Sequence, residues 1–400
     1  MNAVLQALFA DPGFRAIASS ATTSSSAIFQ GLKAVKSMYV GAARTNGAPV
    51  NPSVFRDAFV ERNPDFRGFR QHDADEFMTY LLDHIHEEQR HLADPTGAAE
   101  SLRDRFPAVD DVSTPAWNSM AEEAKSYTNV HSGRSATADS FRSMLGTATA
   151  CKNCRKTSIL FESCFRLSVP VMTQEGAMLR SVDSALAEYQ ESSKVPDFDC
   201  PTCKVRRTAF SMILPHETPR VLVIQLKRFT LSGMAVEKLD HLVEFHHRFE
   251  LPNSYGSTQH YELFAIVYHS GSPVGGHYYS AIKSEGQWFI ANDGDIIRLP
   301  GEPPQQGAYM LFYSDVNAPV SEEKDSQEAA ETPATEAAGT PPAEPSTLAP
   351  SIVLGDLPEL PGEGFDEWVE LGRTSDTAYS FEPFAPEIPN EDGSDFPYYF

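Results

Sequence analysis

Two groups of residues in this 400-residue sequence carry types and spacings suited to chemistry. The first is Gly275-Gly276-His277-Tyr278-Tyr279 with Asn292-Asp293-Gly294-Asp295, fourteen residues separating His277 from Asn292. Glycines beside a histidine leave room for backbone or substrate to come close. An Asn or Asp on the next hairpin can hold the ring's Nδ1–H, so that Nε2 acts as a base. That is two-thirds of a catalytic triad, His277 with Asn292 or Asp293, and paired glycines at hairpin spacing favour it over an ordinary strand histidine. The second group is Cys151-Lys152-Asn153-Cys154 and Cys200-Pro201-Thr202-Cys203, with 45 residues between them. Each C-x-x-C makes a tight knuckle that presents two thiolates, and two knuckles complete the closed tetrahedral set of structural zinc. Four reduced thiols of a relic site are the alternative, and the spacing fixes neither pairing nor metal. The fifth cysteine, Cys164, lies among Phe161, Phe165 and Leu167. It reads as an ordinary buried thiol with a raised pKa.

The elements that must hold these groups follow from composition and periodicity. With 41% apolar residues the chain suffices for one large or two medium domains, which excludes a collagen, a coiled coil or a mini-protein. It has no run of eighteen apolar residues, and Met1 to Ala21 lacks the basic start and unbroken apolar core of a secretory signal. These features predict an intracellular protein, of cytoplasm or nucleus or both, with no membrane association. Cysteines concentrated in C-x-x-C pairs agree with a reducing compartment. The formal charge of −23 argues against a nucleic-acid partner.

That charge is uneven. Residues 316–400 hold 19 acidic and 2 basic side chains and 12 of the 29 prolines, whereas residues 1–315 carry a net charge of only −6. A segment of Pro, Ala, Glu, Ser and Thr cannot bury enough apolar surface to offset chain entropy, so 316–400 is expected to be a disordered acidic tail. Two islands within it, Phe365-Asp366-Glu367-Trp368-Val369 and Phe396-Pro397-Tyr398-Tyr399-Phe400, are hydrophobic-acidic clusters suited to docking on a protein partner, or are incidental aromatics of a solvated tail.

Within residues 1–315, helices precede strands. Val4, Leu5 and Leu8 predict a short buried helix over Met1 to Phe9 that stops near Pro12-Gly13. Phe55 and Phe59 mark a second, Val54 to Asn63, and Phe77, Leu81, Leu82 and Ile85 a longer third. From about Glu162 the texture becomes β. Strands are expected at Phe165 to Val171, Arg220 to Phe229, Phe245 to Leu251, Tyr261 to His269, Tyr278 to Ser284, Trp288 to Ala291 and Tyr309 to Tyr313. Helices grouped before a mostly antiparallel sheet make an α+β fold.

Six ordered motifs resemble those of the ubiquitin-specific proteases. Met1-Asn2-Ala3-Val4-Leu5-Gln6-Ala7-Leu8 is similar to the segment that follows the nucleophile in that family's Cys box, whose pattern runs Gly-Asn-Thr-Cys-Tyr-Met-Asn-x-x-Leu-Gln. Gln71-His72-Asp73-Ala74-Asp75-Glu76-Phe77 resembles its Gln-x-Asp-x-x-Glu-Phe helix. Phe141, Gly146 and the two C-x-x-C knuckles resemble its zinc-bearing fingers, and Leu226-Lys227-Arg228-Phe229 its Leu-Lys-Arg-Phe strand. Gly276-His277-Tyr278 with Asn292-Asp293 resembles its His box, and Ala308 to Tyr313 its last strand.

The resemblance implies a papain-like cysteine peptidase fold with a helical thumb, a palm of antiparallel sheet and zinc-bearing fingers at about 140–225. It covers 1–315 as a catalytic domain, N-terminally incomplete, and leaves 316–400 outside. It implies hydrolysis of the bond after the C-terminal glycine of ubiquitin, with ubiquitin or ubiquitinated proteins as partners. His277 would be the general base, Asn292 its orienting partner, and Asp293 a support for the oxyanion or for the histidine. Asp73 and Glu76 would grip the basic ubiquitin tail, since paired carboxylates suit arginine side chains and backbone donors; taken without the resemblance they read first as a solvated helix face. Gly275, Gly276 and Tyr278 would line the same channel, with Gly271, Gly275 and Gly276 around a loop free to move.

One departure governs the mechanism. By this alignment the nucleophilic cysteine lies two positions before Met1, so the 400 residues alone are expected not to turn over substrate. A coding region read from an internal methionine accounts for this, and a noncatalytic ubiquitin-binding pseudoenzyme is the alternative. Cys164 as nucleophile of an unrelated protease is disfavoured by its apolar strand.

Overall fold

The computed structural model describes residues 1–44, 51–68, 72–90, 106, 108–109, 114–191, 193–233, 235–252, 258–273 and 275–318. Gln71 and the acidic segment past Ala318, with both of its aromatic islands, lie outside these residues. The helical spacing near the start folds as expected: α1 (Asn2–Ala10) buries Val4, Leu5 and Leu8. α2 (Pro12–Ser19) begins where Asp11 accepts the Phe14 N–H at 2.7 Å, with Pro12 in the first turn. α3 (Ala27–Arg44), α4 (Ser53–Arg62) and α5 (Ala74–Gln89) complete a helical lobe. Its centre is aromatic, with the rings of Phe59 and Phe77 edge to face at 4.9 Å.

An eight-stranded sheet lies against this lobe. Its strands are β3 (Leu167–Pro170), β6 (Val221–Lys227), β9 (Arg248–Pro252), β10 (Thr258–Ser272), β11 (Gly275–Ser284), β12 (Gln287–Asn292), β13 (Asp295–Arg298) and β14 (Ala308–Asp315). The order is β13-β12-β11-β10-β14-β6-β3 with β9 on β10, and β3–β6 is the parallel pair. One face packs Ala265, Val267, Met310 and Phe312 on α1 and the other helices of the lobe. The opposite face packs Leu222, Ile224, Tyr268 and Leu311 with the helix Val182–Gln190. Burial on both faces explains why Val221-Leu222-Val223-Ile224 is apolar without alternation. Lobe and sheet are pinned by a bidentate ion pair, Arg220 to Asp11, at 2.8 and 2.7 Å. Gly13 lies beneath it, and a Cβ there would stand 2.2 Å from Arg220 Nη2.

A second, four-stranded sheet has the order β2-β1-β5-β4, from β1 (Ser143–Cys151), β2 (Thr157–Cys164), β4 (Ser193–Asp199) and β5 (Arg206–Glu217). Strand structure therefore begins at Ser143, well before the expected change at Glu162. β1 escapes a propensity reading because Gly146-Thr147-Ala148-Thr149-Ala150 is made of small residues. Pairing on both edges and a covering helix, α6 (Thr114–His131), hold it in place. Trp117 of α6 lies directly over Gly146, where an added Cβ would come within 2.2 Å of the indole. The short helix α7 (Ala136–Phe141) leads into β1, and the helix Val182–Gln190 is α8.

The strand expected over Arg220 to Phe229 is broken in two. β6 ends at Lys227, and the chain resumes as β7 (Phe229–Ser232), whose strand partner among the described residues is β8 (Ala235–Lys238). Between them the Arg228 guanidinium is buried and donates to the carbonyls of Ala308 at 2.6 Å, Leu239 at 2.8 Å and His241 at 2.9 Å. The three carbonyls pair its Nε and Nη1, while Nη2 is buried without a hydrogen-bond partner among the described residues. The role of Arg228 is to tie the return of the β7–β8 hairpin to β14. Among the described residues no helix is long and apolar enough to cross a membrane.

Candidate active site and metal centre

His277 stands on β11 and Asn292 at the end of β12, neighbouring strands paired from Ser280↔Ala291 onward. Their side chains meet at 2.5 Å, between His277 Nε2 and Asn292 Oδ1. An amide oxygen only accepts, so Nε2 is the donor to Asn292, and in the neutral ring the lone pair is on Nδ1. The spacing thus brings the expected pair together, but with the ring turned the other way: Asn292 holds Nε2–H, not Nδ1–H. Asp293 Oδ2 lies 3.9 Å from the same Nε2. The Asp293 backbone is left-handed, φ 49°, which a short polar side chain tolerates.

The start of α1 closes this site. Asn2 Nδ2 donates to Asp293 Oδ1 at 2.9 Å, and Gln6 Nε2 to the Asp293 carbonyl at 3.1 Å. Gln6 in turn accepts from Ser280 Oγ at 3.0 Å, three residues along β11 from His277. The amino end of α1 is therefore held on Asp293, itself 3.9 Å from the histidine, and such a helix end favours negative charge. Sequence spacing gave no sign of Asn2 or Gln6 as site residues, because their partners are some 290 residues away in the chain.

Of the glycines, Gly271 and Gly276 face one another across the β10–β11 hairpin. A Cβ on Gly276 would sit 2.1 Å from His269 Nε2, and Gly271, φ 109°, has 2.7 Å to the Gly275 carbonyl. Both glycines are required by close approach. Gly275 has open space around it.

Asp73 is the N-cap of α5, with Oδ1 accepting from the N–H of Asp75 at 2.8 Å and of Glu76 at 3.3 Å. Its other oxygen accepts from Tyr278 Oη at 3.1 Å and Tyr309 Oη at 2.7 Å. The chain of bonds continues from Gln225 Nε2 to Tyr309 Oη at 2.9 Å and from Ser168 Oγ to Gln225 at 2.6 Å. Asp73 thus anchors β11, next to His277, onto the helical lobe. Glu76 is exposed and its carboxyl is raised by burial of its surroundings, then by Asp73 and Asp65, an arrangement that welcomes a cation. Asp75 is turned inward onto Arg166, and burial pushes its carboxyl up to about 7 against the pull of that guanidinium.

The two knuckles are brought together by the β1–β5 pairing, Cys151 lying opposite Ala209. They share one geometry: Arg155 N–H donates to Cys151 O at 2.9 Å and Lys204 N–H to Cys200 O at 3.0 Å, with φ of 60° and 57° at those residues. The four Sγ atoms lie within 4.8 Å of one another, Cys151 to Cys203 at 3.9 Å and Cys154 to Cys200 at 3.7 Å. A tetrahedron with Zn–S of about 2.3 Å has an edge of roughly 3.8 Å. The thiols fit zinc, and Cys151, Cys154, Cys200 and Cys203 form a closed structural site. Cys164, at the end of β2, is half-buried rather than fully buried, and burial pushes its thiol up to about 11.

Residues 1–313 match the family described as ubiquitin carboxyl-terminal hydrolase. The chain is 29% identical over 281 residues to bovine ubiquitin carboxyl-terminal hydrolase 2, covering 68% of this chain and 44% of that protein. It is 28% identical over 283 residues to human ubiquitin carboxyl-terminal hydrolase 3, covering 65% and 52%. The chain spans about half the length of the curated relatives it matches. Among solved structures, it resembles the SAGA DUB module Ubp8/Sgf11/Sus1/Sgf73 bound to monoubiquitin, with TM-score 0.59 and 22% identity over 79% of this chain and 66% of that one. A yeast SAGA DUB module gives TM-score 0.56 at 21% identity, over 79% of this chain and 66% of the other. The fold is the α+β, papain-like arrangement of these proteins.

Proposed function

The chain belongs to the ubiquitin carboxyl-terminal hydrolase family, and from that membership we propose that residues 1–315 are the working part of a thiol-dependent deubiquitinase. The substrate bond follows the C-terminal glycine of ubiquitin. The observation that carries this reading is the 2.5 Å contact of His277 with Asn292, set against the amino end of α1. The nucleophile is a cysteine two positions upstream of Met1, placed by α1 beside His277, where the helix end favours its thiolate. His277 Nδ1 takes the thiol proton while Asn292 holds Nε2–H. The thiolate adds to the glycine carbonyl, and His277 returns the proton to the departing lysine amine. Water deprotonated by His277 then releases ubiquitin and regenerates the thiol.

Asn2 and Asp293 keep that helix end and the imidazole in register, and Asp293 supports the histidine or the oxyanion. Glu76 meets the basic tail of ubiquitin directly, Asp73 acts by holding Tyr278 in place, and Gly275 and Gly276 leave the channel open. The solved relative bound to monoubiquitin supports ubiquitin as the partner. An intracellular setting, cytoplasm or nucleus, agrees with free thiols.

A second reading is favoured by the placement of the five cysteines. Four are arranged to hold zinc and burial pushes the thiol of Cys164 up to about 11, so for residues 1–400 alone ubiquitin binding without cleavage is the alternative. The test is to read the transcript upstream of the Met1 codon, extend the protein accordingly, and assay hydrolysis of ubiquitin carrying a fluorogenic C-terminal amide. Hydrolysis abolished by His277→Ala supports the proposal. A stop codon before Met1 with no such cysteine leaves the binding reading, and an extended protein that neither cleaves nor binds ubiquitin overturns both.

A further inference from the structure

We propose that Lys238 is a positioning residue for His277, standing in for a strand where the sheet runs out beside it. Lys238 ends β8, and its side chain is only 6% exposed. The ammonium donates to the carbonyls of His269 and Gly271, each at 3.1 Å, and reaches Asp240 Oδ1 at 2.7 Å. Three donors thus meet three acceptors, which satisfies a cation withdrawn from water. Asp240 is the outer partner, more than half exposed. The two carbonyls flank Ser270, and Ser270 is the residue that faces His277 in the β10–β11 ladder.

The register of the sheet explains why a lysine is needed at this point. β14 begins at Ala308, opposite Tyr268, and the last ladder bond on that side of β10 runs from His269 N–H to the Gly307 carbonyl at 3.1 Å. In an antiparallel ladder alternate residues turn their main-chain groups to the same neighbour, so His269 and Gly271 face the side that β14 has left and Ser270 faces β11. Past that point no described strand pairs with β10 on the β14 side. β11 is similarly short of a neighbour on its far side, because its pairing with β12 starts at Ser280, three residues beyond His277. Among the described strands, the backbone at His277 is therefore held through Ser270, and the outer side of β10 there is held by Lys238. Arg228 puts the lysine in place. Its carbonyl accepts the Leu239 N–H at 2.7 Å and its guanidinium donates to the carbonyls of Leu239 and Ala308, so the residue after Lys238 is fastened to the first residue of β14. Without the ammonium two carbonyls lose a partner, and His269, itself buried, can turn its carbonyl to water only by moving β10. That movement carries the His277 ring off Asn292 Oδ1. The inference rests on the reading of His277 as the base.

The test compares Lys238→Met with Asp240→Asn, which keeps an oxygen for the ammonium, in the full zinc-loaded chain and in the protein extended to its upstream cysteine. In 15N spectra of the full chain, Lys238→Met should turn the distinct Nε2–H and Nδ1 lone-pair signals of His277 into those of a mixture, and Asp240→Asn should leave them unchanged. In the extended protein, Lys238→Met should lower kcat about 10- to 100-fold with KM within about twofold of wild type. Three results overturn the proposal: wild-type His277 signals in Lys238→Met, the same change in Asp240→Asn, or a raised KM with kcat unchanged, which would assign Lys238 to the substrate channel. Circular dichroism and zinc content report folding, and if Lys238→Met does not fold, Lys238→Gln is read by the same signals and the same criteria. Should the extended wild-type protein cleave nothing, the proposed function falls, and the ring signals of the full chain decide on Lys238 by themselves.

Discussion

Tyr309 donates its hydroxyl hydrogen to Asp73 Oδ2 at 2.7 Å, joining the last strand to the first turn of α5 across 236 residues. Tyr278 shares that oxygen, and the other oxygen caps the helix. Asp73→Ala removes the cap and strands two largely buried hydroxyls, so a loss of about 2–4 kcal/mol is expected in urea unfolding, against about 1 kcal/mol for Tyr309→Phe. The double variant should lose less than the sum. A stability change below about 0.5 kcal/mol for Asp73→Ala would contradict this assignment.

Asn292 fixes the tautomer of His277. In 15N-labelled protein held above the histidine's titration, Nε2 should give the protonated-nitrogen signal and Nδ1 the lone-pair signal. Asn292→Ala should mix the two forms. In the extended protein the same substitution is expected to lower kcat by about 10²- to 10⁴-fold with little change in KM. A wild-type ring protonated at Nδ1 would reverse the mechanism's proton path.

Elemental analysis should find one zinc per chain, bound by the thiolates of β1–β2 and β4–β5. Because binding energy of a structural zinc is folding energy, chelation or Cys151→Ser/Cys200→Ser should unfold the four-stranded sheet, as read by proteolysis at its hairpins. The His277–Asn292 signals should survive. A metal-free protein with an intact four-stranded sheet is the opposing outcome.

Gly146 leaves no space for a methyl under Trp117. Gly146→Ala should cost about 1–3 kcal/mol through overpacking, visible as a lower denaturation midpoint and a shift in Trp117 fluorescence. An unchanged midpoint would mean that α6 slides freely over β1.

Asp75 binds its proton more tightly in the fold than in the unfolded chain, its pKa raised from 3.8 to about 7 by burial. From about pH 4 to 7 the folded form holds a proton that the unfolded form has lost. Its contribution therefore lowers stability as pH rises, by up to about 1.4 kcal/mol per pH unit. Asp75→Asn abolishes that contribution, so its stability relative to wild type should improve with pH across this window. Parallel pH profiles in denaturant titrations would refute it.

Much of the fold was legible where burial speaks through composition. The helices of Val4 and Phe77, and strands such as Val221 to Lys227, show themselves by apolar spacing or by unbroken apolar runs. β1 did not, since its residues are small and its burial comes from Trp117, a residue of a different element. The cysteine knuckles were legible because spacing alone sets their geometry. His277 and Asn292 were legible as partners, but spacing cannot say which ring nitrogen turns toward the amide. Asp73 read as a helix-face carboxylate because its partners lie 205 and 236 residues away, and Arg228 read as one letter of a motif until the three carbonyls around it were in place.

The contact of Asn2 with Asp293 spans 291 residues, and α1 buries its apolar side on strands made near the end of the folded region. A ribosome adding about 5–20 residues per second leaves that side uncovered for roughly 15–60 s. During synthesis, Val4, Leu5 and Leu8 lack the sheet face they pack on in the fold, and only the helices of their own lobe, such as Phe14 against Phe9, can cover α1. The nascent chain thus asks for a chaperone early, and its quality control is decided by whether the last strand arrives before a neighbour's exposed helix does.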